Sequence, residues 1–217
     1  DPSANTSRRG AGIPTQNALV VILFWPDNNP ERGEGKERFR PTGLGRWAIM
    51  EIRTVAILGA GNGGCAAACD LGRGGAEVRL FARREESLAP LRAQGGVLAR
   101  GIHDGLVPVP VMTTDLAEAV SGADLVMLVV PSMAHGFYAR ALAPLLAPGQ
   151  PVLVNPGHTG GGLHFAHELK AAGYRSEVRT CETVTLTYIC RMTGPGEVDI
   201  FSTTRNLKFA AFPGRHA

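Results

Sequence analysis

Residues 55–71 read VAILGAGNGGCAAACDL: a short apolar run, a burst of glycines, then small residues with helical character. Glycine loses more conformational freedom on ordering than any other residue, so Gly59, Gly61, Gly63 and Gly64 between a strand and a helix need a physical reason. The spacing Gly59-x-Gly61-x-x-Gly64 supplies one when it directly follows a strand and opens a helix. Gly59 permits the tight turn, Gly61 lets a pyrophosphate approach the backbone, and Gly64 permits close packing of helix on sheet. The free amides around Asn62 and Gly63 then face the phosphates, aided by the helix dipole. The glycines make room for a dinucleotide.

Strands and helices alternate from residue 54 onward. Residues 54–58 read as a buried strand, 62–71 as a helix stopped by Gly72-Arg73-Gly74-Gly75, 77–82 as a second strand and 85–93 as a short helix. Within 97–112 the run Val107-Pro108-Val109-Pro110-Val111 suggests an edge strand or hairpin, because proline cannot donate to a ladder. A helix over 115–120 precedes the continuous apolar strand 124–130, of the kind buried on both faces. After Pro131, helical spacing places Met133, Phe137, Ala141 and Leu145 on one side, with Tyr138 and Leu142 adjoining. A strand over 151–154 and a helix over 162–172 follow, then strands over 178–181, 186–190, 198–201 and 207–212. This alternation implies an α/β fold with a doubly wound, mostly parallel sheet of the Rossmann type.

An NAD site of this kind carries an acid at the end of the second strand, whereas an arginine there suits the 2′-phosphate of NADP. Here the sequence is Phe81-Ala82-Arg83-Arg84, with no carboxylate until Glu85 and Glu86. Arg83 or Arg84 therefore points to NADP, against the alternative of two solvated arginines opening a helix. Ligands of such sheets lie beyond the carboxyl ends of the strands. The turns there, Val130 to His135 and Asn155 to Gly162, have little bulk, so a nicotinamide ring could lie against them. His135 either touches substrate or ribose or is an ordinary surface histidine. The pair His164 and His167 beside Glu168 lacks the HExxH spacing, so no metal site is expected. Cys65 and Cys69 share a face of the first helix and read as core packing.

Residues 1–49 hold seven of the 22 Lys and Arg and five of the 19 Asp and Glu, so the remainder is close to neutral and carries no nucleic-acid footprint. They lack periodicity, and Met50 sits just before the first strand, where an initiator would. The expected organisation is a leader or extension over 1–49 and a coenzyme-binding domain over 50–217. The longest apolar run near the start, Ala18 to Trp25, is too short to cross a bilayer. No membrane association is expected. Four cysteines without a CxxC pair fit reduced thiols in a cytoplasmic protein.

The segments VAILGAGNGG, VMLVVPSMAH, VLVNPGHTGGGLHF, CETVTLTYICR and LKFAAFPG, in this order, resemble the octopine/nopaline (opine) dehydrogenase family over residues 53–214. The block Asn155 to Gly161 and the pair Glu182-Thr183 carry this likeness more specifically than the glycines do. The resemblance implies an NAD(P)H-dependent reductive condensation of an amino acid with a 2-oxo acid, with hydride passing to the imine carbon. It implies Gly59, Gly61, Asn62, Gly63 and Gly64 at the pyrophosphate, and Pro131, Asn155, Gly157, Glu182 and Thr183 near the nicotinamide. In the family a second, helical domain supplies a catalytic histidine and its acidic partner. The sequence stops at Pro213-Gly214-Arg215-His216-Ala217, where that domain should begin, so coenzyme binding with little turnover is expected. An apolar patch at that boundary would favour self-association, and a homodimer is compatible with it. The alternatives are a glycerol-3-phosphate or ketopantoate type of reductase, or a dinucleotide-binding module without chemistry. The first would show a lysine near the later strand ends, and Asn155-Pro156-Gly157 offers none.

Overall fold

Residues 52–204 and 207–213 are described in a computed structural model of the chain; the expected leader lies outside them. In chain order, β1 (Thr54–Leu58), α1 (Asn62–Arg73) and β2 (Glu77–Phe81) form the first βαβ unit. A short 3-10 turn (Glu85–Ser87) and α2 (Ala89–Gln94) lead to β3 (Gly96–Gly101), β4 (Gly105–Pro108) and β5 (Val111–Thr113). Next come α3 (Leu116–Val120), β6 (Leu125–Leu128), a 3-10 turn (Ser132–Ala134), α4 (His135–Leu142), β7 (Pro151–Val154) and α5 (Gly161–Ala171). The last strands are β8 (Arg179–Thr183), β9 (Tyr188–Gly194), β10 (Glu197–Thr203) and β11 (Phe209–Phe212).

Seven strands form the main sheet in the order β11-β8-β7-β6-β1-β2-β5, parallel throughout except for β11 at the edge. β1 is buried on both faces because its alternate side chains enter two cores. Val55 and Ile57 pack with α1, while Ala56 and Leu58 pack with α3, α4 and α5. The doubly wound expectation is met.

A second sheet, β4-β3-β10-β9, closes over α1 from the other side. This explains the composition of that helix. Every residue from Gly63 to Cys69 is buried, so only glycine, alanine and cysteine leave room for two sheets to approach one helix. Tyr188 on β9 reaches across to donate to Asp70 on α1 (2.9 Å), and His103 meets the other carboxylate oxygen (2.9 Å).

Three expectations need correction. The stretch 97–112 is both a hairpin and an edge strand: β3 and β4 pair antiparallel in the small sheet, while β5 adds to β2. β9 and β10 leave the main sheet altogether. The helix after Pro131 does not bury its most apolar stripe. Met133 is 92% exposed and Phe137 48%, whereas His135, Gly136, Tyr138, Ala139 and Leu142 face inward.

Candidate dinucleotide site

The six parallel strands end on one edge of the sheet, and the chain reverses direction across the sheet between β1 and β6. A crevice opens at such a switch point. Gly59 lies at its floor, with φ +123°, and its N–H donates to the Phe81 carbonyl at the end of β2 (2.9 Å). A side chain on Gly59 would overlap the Val129 carbonyl beyond β6. One on Gly64 would overlap the carbonyl of Gly59. Gly63 lies beneath the side chains of Leu186 and Val129. These three glycines have reasons internal to the fold.

Gly61 has none. Its backbone is extended (φ −94°, ψ −164°), which any residue adopts, and a Cβ there would meet nothing within 4 Å among the described residues. No described neighbour explains this glycine. Beside it, α1 begins with no side-chain cap and no acidic residue in its first turn. The partial positive end of that helix is therefore left open to an anion. Asn62 turns its side chain aside: its Oδ1 accepts the Met192 N–H of β9 at 2.8 Å. The N-terminus of α5, on the same edge, is filled from within. The Glu182 carboxylate accepts the N–H groups of Gly160 (3.0 Å) and Gly162 (2.5 Å).

Arg83 and Arg84 stand exposed just past β2. Arg83 lies over the ring of Phe137, 5.7 Å from its centroid. Glu85, the first carboxylate after the strand, is engaged by Arg92 instead of facing the crevice. Pro131 is exposed at the end of β6 and starts the 3-10 turn, its carbonyl accepting the Ala134 N–H (2.8 Å).

Asn155 and Thr183 are buried, and their side chains serve the fold. The Thr183 hydroxyl donates to Asn155 Oδ1 (3.0 Å), which also accepts the Thr187 N–H (3.2 Å), while Asn155 Nδ2 donates to Thr187 Oγ1 (3.0 Å). Asn155 thus ties the ends of β7 and β8 to the loop before β9. That loop carries Leu186, which covers Gly63, so the later strand ends are linked to the start of α1. Thr187 and Leu186 were not foreseen as part of this edge. The alternation Thr183-x-Thr185-x-Thr187 in an apolar setting is the signal that could have found the first.

Gly157 is glycine because its Cα sits against the Glu182 side chain, where a Cβ would overlap the Cβ of that residue. His135 is not an ordinary surface histidine: it is 1% exposed, and its Nε2 has no hydrogen-bond partner among the described residues. Its Nδ1 edge faces Gly161, close to the Glu182 carboxylate. Burial lowers the His135 pKa below its ordinary value; the Val130 carbonyl opposes this, and His164 and His158 reinforce it. Burial thus favours the neutral imidazole. Burial pushes the thiols of Cys65 and Cys69 up to about 12, so neither is a nucleophile. His164 and His167 are exposed and Glu168 is engaged by Arg140; among the described residues no cluster of three His, Cys, Asp or Glu could hold a metal.

Residues 54–168 match the family described as NAD-dependent glycerol-3-phosphate dehydrogenase N-terminus. The chain is 32% identical over 170 residues to an opine dehydrogenase of Arthrobacter sp. (strain 1C), covering 78% of this chain and 47% of that one. It is 37% identical over 121 residues to a glycerol-3-phosphate dehydrogenase (NAD(P)+) of Halorhodospira halophila, covering 55% and 36%. An octopine dehydrogenase solved in complex with NADH and agmatine superposes with a TM-score of 0.62 at 27% identity, covering 75% of this chain and 42% of that one. The chain thus spans about a third to a half of the length of these relatives. Homology over more than half of its length, joined to the strand–glycine–helix geometry, settles the relationship: the chain belongs to the NAD-dependent glycerol-3-phosphate dehydrogenase N-terminal family of NAD(P)-dependent oxidoreductases, and carries the N-terminal NAD-binding domain that the opine dehydrogenases share.

Proposed function

We propose that this domain binds NADP(H) in preference to NAD(H) and serves the reductive condensation of an amino acid with a 2-oxo acid, in a cytoplasmic protein. The observation that carries the coenzyme reading is Gly61, a glycine with open space where its side chain would be. The uncapped start of α1 beside it fits a pyrophosphate, and Gly59 and Gly64 hold the loop in the shape that leaves this approach free. The preference for NADP(H) is supported by Arg83 and Arg84 at the position where an acid would meet a ribose, with Glu85 turned to Arg92.

When bound, the nicotinamide supplies hydride chemistry. The residues of this chain bind and orient. Gly61 and the amides around Asn62 and Gly63 receive the pyrophosphate, and Arg83 and Arg84 receive the adenosine end. Pro131 and the loops held by Asn155, Gly157, Glu182 and Thr183 form the floor at the nicotinamide end. Asn155 and Thr183 act there by fixing backbone, since their side chains bond to each other.

The test is a titration of the purified chain with NADPH and with NADH, followed by the coenzyme's own fluorescence. Saturable binding favouring NADPH supports the reading; tighter NADH binding removes the roles of Arg83 and Arg84, and no binding of either removes the site. A second reading, a glycerol-3-phosphate type of dehydrogenase, has the family match in its favour. Amine-dependent oxidation of NADPH and glycerol 3-phosphate-dependent reduction of NADP+ separate the two.

A further inference from the structure

Phe137 is a large apolar side chain left half exposed on the first turn of α4, although the core of that helix lies one residue away at Tyr138. Its ring packs edge to face on Tyr138 (5.4 Å, 88°), which is buried and packs edge to face on Phe81 (6.2 Å, 87°). Phe81 is the last residue of β2, and two residues on, the Arg83 guanidinium returns to lie over the Phe137 ring. A line of three rings therefore runs from the end of β2 to the helix after β6 and ends under an arginine. It bridges the two connections that flank the crevice over β1.

We propose that Phe137 is a specificity-determining residue for the coenzyme, holding Arg83 in place to receive the 2′-phosphate of NADP(H). The inference rests on the coenzyme reading above and deepens it. A free arginine side chain loses much rotameric freedom when it grips a phosphate, and that loss weakens binding. An arginine already held over a ring has lost part of that freedom beforehand. The ring rests edge to face on Tyr138, which is buried in the core. Arg84 has no such support: it is exposed, and no carboxylate lies within ion-pair distance of it among the described residues. Arg83 is thus the arranged member of the pair. NADH lacks the 2′-phosphate, so the ring should matter to one coenzyme and not to the other.

Dissociation constants for NADPH and NADH, measured by coenzyme fluorescence on the full chain, test this with four variants. Phe137→Ala is expected to weaken NADPH binding by about three- to fivefold, the scale of an exposed cation–π contact, and to leave NADH within about twofold. Phe137→Leu, which keeps most of the bulk but no π face, is expected to behave like alanine and stands in if the alanine variant does not fold. Phe137→Trp keeps a ring and is expected to retain the preference. Arg83→Ala is expected to lower the preference further than any change at Phe137. Equal loss of both coenzymes in Phe137→Ala and Phe137→Leu, or no loss of either, overturns the inference while a lowered preference in Arg83→Ala leaves the coenzyme reading standing. An unchanged preference in Arg83→Ala overturns the assignment of Arg83 itself, and the inference with it.

Discussion

The carbonyl oxygen of Gly59 occupies the space that a side chain on Gly64 would need. Neither group can yield, since the Gly59 N–H is bonded to Phe81 and Gly64 lies buried in α1 between two sheets. Gly64→Ala should therefore destabilise the domain by about 3 kcal/mol or more, at the upper end of overpacking costs. Gly61→Ala meets nothing among the described residues and should change stability by no more than the spread of surface substitutions, about 0.5 kcal/mol. It should nevertheless weaken coenzyme binding by about tenfold, ~1.4 kcal/mol. Thermal melts paired with coenzyme titrations read both. Unchanged binding in Gly61→Ala would remove the main support for the site.

Asn155 ties Thr183 and Thr187 together inside the fold, so its loss should be felt first as stability. Asn155→Ala leaves the buried Thr183 and the half-buried Thr187 without their partner and should cost about 2–3 kcal/mol. Thr187→Val removes only part of the same network and should cost about 1 kcal/mol. Urea midpoints of the two single variants and the double variant give the coupling between them. Strictly additive losses would mean that the two side chains do not act as one unit.

What could be read from the sequence follows the range of the interactions. β1, α1, β2 and β7 were legible almost to the residue, because glycine punctuation and apolar runs act over a few positions. The second sheet was not. It pairs β3 with β10, about a hundred residues later, and nothing local in Val97 or Val198 announces that partner. The face of α4 was misread for a different reason. Periodicity ranks side chains by hydrophobicity, and it chose Met133 and Phe137 over His135 and Gly136. The packed surface of α4 instead needed small residues close to α5: a Cβ on Gly136 would already press on His164. At the site, the pyrophosphate loop was legible from spacing. The bonds among Asn155, Thr183 and Thr187 were not, because they arise only when three separate segments meet at one edge.

The four cysteines should differ in reactivity in a set order. Burial pushes Cys65, Cys69 and Cys181 up to about 12, while Cys190 is half-buried and shifted in the same direction. At pH 8 the native chain should modify Cys190 first and leave the other three largely unlabelled by a thiol-disulfide exchange reagent. All four should react once the chain is unfolded in urea. Mass spectrometry of the labelled peptides gives the order. Rapid native labelling of Cys65 or Cys69 would show that α1 is not closed between its two sheets.

His135 makes stability depend on pH in a direction fixed by its burial. Its pKa in the fold lies below the ordinary 6.5. Above 6.5 the imidazole is neutral both folded and unfolded, and the full stability is present. As pH falls below 6.5 the unfolded chain binds a proton that the folded chain does not, so stability drops until pH has passed the folded value. The slope from one such group is at most about 1.4 kcal/mol per pH unit. His158, His164 and Glu182 face the same ring; the two histidines are exposed, and Glu182 is held by amide bonds. Urea midpoints at pH 7.5 and 5.5 should fall more steeply in the native sequence than in His135→Gln. A His135→Gln variant as pH-sensitive as the native chain would assign the loss to the other groups at this edge.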